Sequence, residues 1–273
     1  MKKILLLLIF SILFSANSFA KKEPYIGEIL YGNIGPFGLG TEILLPEGEW
    51  VVAGVTVSNG SVRWAELVLL QIESDKIKAL LNIKYPRKLE ERIGKSSGGD
   101  HKEGWRRDKH SDNNTCDDYD GQDSNYHETL IKKVLGGQRI IAATCISIFA
   151  SNRFDKSTNF QSQAWRMAQD YVERVNLNYP NVLLNIDNTY FSLENVVHTY
   201  YSINPGINGI KSRDGGSRSN SAWDKYNISK HEDKNKFMSN AIFIGQNVLR
   251  QNDRSFSNHK RLDLREYQNL FQD

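Results

Sequence analysis

Cysteine is scarce in this chain: Cys116 and Cys145 are the only two in 273 residues. They stand too far apart for a Cys-x-x-Cys redox pair, and Cys116 precedes Asp117 and Asp118, whose charge opposes a thiolate. A reactive thiol is therefore a poor reading. Charge of one sign is missing as well, since the formal net charge is only +3. That leaves no global field for nucleic acid or an anionic membrane. Long apolar runs are missing beyond the first 14 residues, so nothing after them reads as a membrane span. Heptad repeats and longer internal repeats are also lacking.

The N-terminus holds the clearest signal. Met1-Lys2-Lys3 precedes an apolar core from Ile4 through Phe14, and small residues Ser18 and Ala20 sit where a signal peptidase reads. This is the pattern of a secretory leader over residues 1–20, cleaved near Ala20, and the core is too short for an anchor. Loss of Lys2 and Lys3 lowers the charge by two, toward neutrality. The expected address is periplasmic or secreted. In that oxidising compartment an even cysteine count reads as one disulfide, Cys116–Cys145. It would close a loop of roughly 30 residues, worth ~3 kcal/mol in chain-entropy terms.

The remaining residues, 21–273, are enough for one domain. Three β-like runs follow the turn at Pro46 and Gly48: Trp50 to Val57, Val62 to Ile72, and a third ending at Tyr85-Pro86. In the third, Ile77, Ala79, Leu81, Ile83 and Tyr85 alternate with Lys76, Lys78, Asn82 and Lys84, so one dry and one wet face are expected. A short edge strand is expected at Glu28 to Tyr31. A polar insertion runs from about 86 to 128. Arg139 to Phe149 is apolar on both sides and reads as a central strand.

Ser162 to Asn176 reads as a helix capped by Ser162, with Trp165, Ala168, Val172 and Val175 on its buried stripe and Pro180 as its stop. Asn181 to Ser192 and Asn195 to Ile203 form a hairpin, Lys236 to Arg250 a second helix, and Leu262 to Phe271 a loose terminal one. The expected fold class is α+β, an antiparallel meander or sheet packed by two or three helices and stapled by a single disulfide.

Several pieces together resemble a family of secreted proteins from Gram-negative bacteria. They are Leu45 to Trp50 (Leu-Pro-x-Gly-x-Trp), the two cysteines around a polar stretch, Ala164-Trp165, Tyr200 to Gly206 with its Asn204-Pro205, and Ser221-Ala222-Trp223. The resemblance implies export and one domain; it implies no activity, ligand or catalytic residue.

Catalytic motifs fail in context. Gly94-Lys95-Ser96-Ser97-Gly98 matches Gly-x-Ser-x-Gly, but no strand precedes it and no helix follows, as a nucleophile elbow requires. Gly209-Ile210-Lys211-Ser212 lacks the adjacent Gly-Lys of a phosphate loop. Acids and histidines crowd only in the insertion. Asp118-x-Asp120-Gly121 is like the middle of a calcium loop, and Asp118, Asp120, Asp123 and His127 are its candidate ligands. Against that, Cys116 stands where the first carboxylate belongs, and a solvated charged loop is the simpler reading. His198, in an aromatic strand beside Tyr200 and Tyr201, is either a structural group or a base. Trp105 and Trp223 lie in polar loops and are candidates for exposed contacts.

These residues point to a non-enzymatic exported binding or accessory protein with no cofactor and an unspecified periplasmic ligand or protein partner. The alternatives are a periplasmic hydrolase, or a module binding calcium or another divalent ion near the insertion at 100–128.

Overall fold

The computed structural model describes residues 23–34, 42–57, 64–86, 124–135, 140–150, 162–180, 182–191, 196–210, 222–223, 227–257 and 261–263. The described residues form eleven strands: β1 (Ile29–Leu30), β2 (Asn33–Ile34), β3 (Glu42–Leu44), β4 (Trp50–Val57), β5 (Trp64–Glu73), β6 (Lys76–Pro86), β7 (Ser124–Leu135), β8 (Ile140–Ala150), β9 (Val182–Phe191), β10 (Val196–Ile203) and β11 (Arg261–Asp263). The α-helices among the described residues are α1 (Gln163–Arg174) and α2 (Glu232–Ser257). Eight strands make one sheet in the order β1-β4-β5-β6-β10-β9-β8-β7, antiparallel throughout. A small sheet, β11-β3-β2, lies beside it. An antiparallel sheet with two helices is an α+β arrangement, as the sequence leads one to expect.

The meander, the edge strand and the hairpin of β9 and β10 fall where the sequence places them. The strand at 139–149 is indeed interior, between β9 and β7. Two departures are instructive. The insertion ends earlier than expected, because Ser124 already opens β7, whose mixed polar composition hid its strand character. Leu262 belongs to β11, which pairs in parallel with β3, rather than to the start of a terminal helix.

Both faces of the central strands are buried. One face carries Trp50, Val52, Leu67, Leu69, Leu81, Ile83, Leu184, Ile186, Tyr201 and Ile203, covered by Ile43 and Leu45, Trp223, and Phe237, Met238 and Ala241 of α2. Burying side chains of this size is worth roughly 2 kcal/mol each before conformational entropy is charged against it. The other face carries Ala53, Val68, Leu70, Ile77 and Leu80 beneath Ala164, Trp165, Ala168 and Val172 of α1.

The third run therefore departs from the single dry face its alternation implies. Gln71 pairs with Ala79 but Ile72 pairs with Ile77, so Lys78 is an extra residue. That bulge reverses the parity: Ile77 joins Leu80 under α1, while Ala79, Leu81 and Ile83 face the opposite way. Asn82, expected to be wet, is fully buried.

Asn204 pins this bulge. Its backbone N–H donates to Lys78 O at 3.0 Å and its Nδ2 to Ile77 O at 2.9 Å. Its Oδ1 accepts from Gly206 N at 2.9 Å, capping the short 3-10 turn Pro205–Asn208. The Asn-Pro-Gly segment is thus structural. So is Leu-Pro-x-Gly-x-Trp: Trp50 Nε1 donates to Pro46 O at 2.9 Å, and Gln71 Nε2 donates to Glu47 O at 2.6 Å. Gly48 sits at φ +107, a conformation that disfavours any side chain.

α1 is capped as expected, Ser162 Oγ accepting from Trp165 N at 3.3 Å. Its end differs. Arg174 is the last helical residue, Asn176 turns the chain at φ +53 ahead of Pro180, and Val175 is 42% exposed rather than buried. The helix meets β4 backbone to backbone, because a Cβ placed on Gly54 falls 1.9 Å from Ala164 O. Only glycine permits that approach.

Two substitutions test these contacts. Gly54→Ala must push α1 off the sheet and is expected to cost at least about 3 kcal/mol in urea unfolding. Asn204→Ala strips the bulge of its clamp and is expected to cost about 2 kcal/mol, whereas Asn208→Ala, one turn further on and exposed, is expected to change little.

Candidate functional site

The face that α1 covers is apolar under the helix. Towards β10 it turns polar at the same depth. Glu66, Asn82, Asn185 and Ser202 are all nearly or completely buried, and Lys84 and Tyr200 are half-buried beside them. Strand register explains the grouping. Thr56 is opposite Glu66, and Glu66 is opposite Lys84. Val68 is opposite Asn82, and Asn82 is opposite Tyr200. Leu80 is opposite Ser202, and Ser202 is opposite Asn185. Residues two apart in a strand share a face, so these three rows form one block centred on β10.

Hydrogen bonds knit the block. Asn82 Nδ2 donates to Glu66 Oε1 and to Leu67 O, each at 3.0 Å. Lys84 Nζ lies 3.3 Å from the same Glu66 oxygen, so the buried carboxylate has a cation and a donor. Ser202 Oγ donates to Asn185 Oδ1, and Asn185 Nδ2 reaches Leu183 O at 3.4 Å. Asn82 Oδ1 is buried and has no hydrogen-bond partner among the described residues. Leaving such an acceptor unpaired costs roughly 1–3 kcal/mol. At the margin, Thr56 Oγ1 donates to Gln163 Oε1 at 3.2 Å, joining the block to the start of α1. A second orphan among the described residues, Thr199 Oγ1, is opposite Ile83 on the other face, and nothing in the structure explains it.

Backbone register extends the rows across the sheet. His198 pairs with Lys84 on one side and Thr189 on the other; Tyr200 pairs with Asp187, which pairs with Cys145; Asn185 pairs with Ser147, which pairs with His127. Three residues singled out in the sequence, His198, Cys145 and His127, thereby fall at register positions around the block. Cys116, Trp105, Asp118, Asp120 and Asp123 lie outside the described residues. Among the described residues no group of three or more His, Cys, Asp or Glu is placed to hold a metal.

Trp223 is not an exposed contact. It is fully buried, its ring 6.3 Å from that of Phe237 and 5.3 Å from Lys234 Nζ. Lys234, nearly buried, lays its stem into the core with the ammonium over the indole and 3.7 Å from Asp233. The surrounding polar sequence concealed a core tryptophan. Tyr201 is equally buried, its ring 6.1 Å from that of Trp50, and loss of water pushes its hydroxyl far above the ordinary value. It stays protonated and cannot serve as a base. On the surface, Tyr31 donates to Glu49 Oε1 at 3.2 Å, and that bond raises its pKa.

The buried amides were missed because an isolated Asn in a strand reads as a solvent-facing residue. A signal did exist: Leu-Leu-Asn-Ile occurs twice, at Leu80 to Ile83 and at Leu183 to Ile186. The two copies lie on β6 and β9, the strands that flank β10, and their asparagines fall on the same face.

No protein-family model and no curated protein matches the chain. Among solved structures, the C-terminal domain of Yurk from Bacillus subtilis aligns over 57% of this chain and 88% of its own, at 9% identity and a TM-score of 0.24.

Proposed function

We propose that this chain is an exported protein that binds a polar ligand without transforming it, and that the buried polar block around β10 marks the part of the sheet that serves this role. The observation that carries the reading is Asn82: a fully buried amide whose Oδ1 has no partner among the described residues, set in a cluster of buried polar groups. A sheet built for stability alone would place leucine or valine there, as it does at Val68 and Leu80 alongside. The ionisable members with described side chains, Glu66 and Lys84, are bonded to each other, which suits holding a ligand better than moving protons. Export rests on the leader pattern at 1–20, and the staple on Cys116 joining Cys145. No helix among the described residues is long and apolar enough to cross a membrane.

A hydrolase reading has one point in its favour. Register sets His198 beside Lys84 and Thr189, one diagonal step from Asp187, the spacing at which a histidine and a carboxylate in neighbouring strands can cooperate.

Native mass spectrometry of protein isolated from periplasm separates these readings. The binding reading expects a chain without residues 1–20, two hydrogen atoms lighter than its dithiol form and retaining an organic molecule. A bare protein that converts material in the extract favours the hydrolase, and a retained calcium or zinc ion favours the metal module. Intact precursor confined to the cytosol contradicts export altogether.

A further inference from the structure

Independently of the block around β10, we infer that the β1 edge of the sheet docks a partner protein through a basic segment that also carries apolar side chains. Of the six large apolar side chains exposed among the described residues, only Phe243, on α2, stands apart. Tyr25, Ile29 and Tyr31 lie on or beside β1, and Val175 and Tyr179 follow α1. Register brings both groups to one end of the sheet. Ile29 is opposite Val51, and Val51 is opposite Leu70, which packs under α1. Tyr31 and Glu49 continue that face by one row, joined by a 3.2 Å hydrogen bond. Asn178 accepts from Ile77 N and donates to Asp75 O, so Val175 and Tyr179 flank the turn between β5 and β6. β1 and β5 stand two strand spacings apart, about 10 Å, with half-buried Val51 between them and half-buried Ile72 near the end of β5. Single exposed apolar residues need no explanation, but a gathered set marks an interaction surface.

Charge says what kind of partner fits. Residues 23–62 hold five glutamates and no lysine, arginine or histidine, in a chain whose formal net charge is +3. Lys21 and Lys22, just before that stretch, lie outside the described residues. Glu28 is half-buried at β1, and Glu47 and Glu49 are exposed before β4, Glu49 in contact with Tyr31. The side towards α1 is nearer to balance, with Lys76, Lys78 and Arg174 against Glu73, Asp75, Asp170 and Glu173. Lys78 is 3.2 Å from Glu73, and Arg174 lies over the Tyr171 ring at 5.5 Å. The negative field therefore belongs to the β1 edge, where it repels anionic lipid and attracts lysine and arginine. The backbone adds a third element. β1 ends the eight-stranded sheet, and among the described residues no strand pairs with its outer side. An extended segment laid there gains main-chain hydrogen bonds, while its apolar side chains meet Ile29 and Tyr31 and its cations meet the glutamates.

The test titrates the mature full-length protein into a fluorescent peptide of alternating lysine and valine, about eight residues long, and follows its anisotropy. A glutamate–valine peptide reverses the charge, and a lysine–serine peptide removes the apolar part. The lysine–valine peptide is expected to bind about tenfold more tightly than either control, and roughly 0.5 M salt to weaken it severalfold. Ile29→Ser and Tyr31→Ala, both at exposed positions, are each expected to weaken binding about fivefold, as is Glu47→Gln combined with Glu49→Gln. Phe243→Ala, equally exposed but on α2, is expected to leave it unchanged. Circular dichroism checks that each variant is folded, and the peptide comparison, which needs no variant, carries the test if one is not. Failure of the lysine–valine peptide to bind overturns the inference, as does equal binding of either control. Binding that survives folded Ile29→Ser and Tyr31→Ala overturns the assigned surface. A dimer in sedimentation velocity that dissociates in Tyr31→Ala assigns the strip to a second copy of this chain and overturns the basic partner.

Discussion

Strand register on either side of β10 is the constraint from which the rest of this molecule follows. Side chains alternate between faces with a period of two, so a strand slipped by one residue would exchange its two faces, taking Leu81, Tyr201 or Ile186 away from the α2 side and putting Asn82, Tyr200 or Asn185 there instead. The protein fixes the register by local means. Lys78 is squeezed out as a bulge, and Asn204 holds the backbone on both sides of the break. From the opposite side, Ile77 N donates to Asn178 O, which ties the segment after α1 to the start of β6. Both ends of the correction are therefore bonded, and the parity of every later pair in β6 follows from them.

That parity divides the work between the faces. One is packed continuously by the small sheet, Trp223 and α2, and it contains the largest buried side chains. The other is shared. α1 covers β4 and β5, approaching so closely at Gly54 that helix and strand backbones touch. Beyond its reach the same face holds Glu66, Asn82, Asn185 and Ser202. An ordinary core would keep the apolar pattern going, because each buried polar atom must be bonded or paid for. Most are bonded to one another here, and the exception at Asn82 is what gives the block its functional reading.

How much of this was legible in the sequence depended on whether local chemistry or distant pairing decided the outcome. Ser162 and the stripe of Ala164, Trp165, Ala168 and Val172 announce α1, because cap and period lie within one segment. The hairpin of β9 and β10 is legible for the same reason. The bulge at Lys78 is not, since Ile77 to Tyr85 alternates cleanly and only pairing with β5 and Asn204 reveals the extra residue. Trp223 misled because its neighbours are polar while its partners, Phe237 and Lys234, come from α2. Asn82 and Asn185 carried no local sign of burial; the repeated Leu-Leu-Asn-Ile was present, but its meaning depends on both copies flanking one strand.

The central claim is that pairing places Asn82 opposite Tyr200 and Asn185 opposite Ser202 on one face. Backbone nuclear Overhauser contacts across β6, β10 and β9 measure that pairing directly in solution. The account predicts cross-strand contacts linking Asn82 with Tyr200 and Ser202 with Asn185. Contacts linking Asn82 instead with Thr199 or Tyr201 would mean a one-residue slip, turning the amides to the opposite face and contradicting the site.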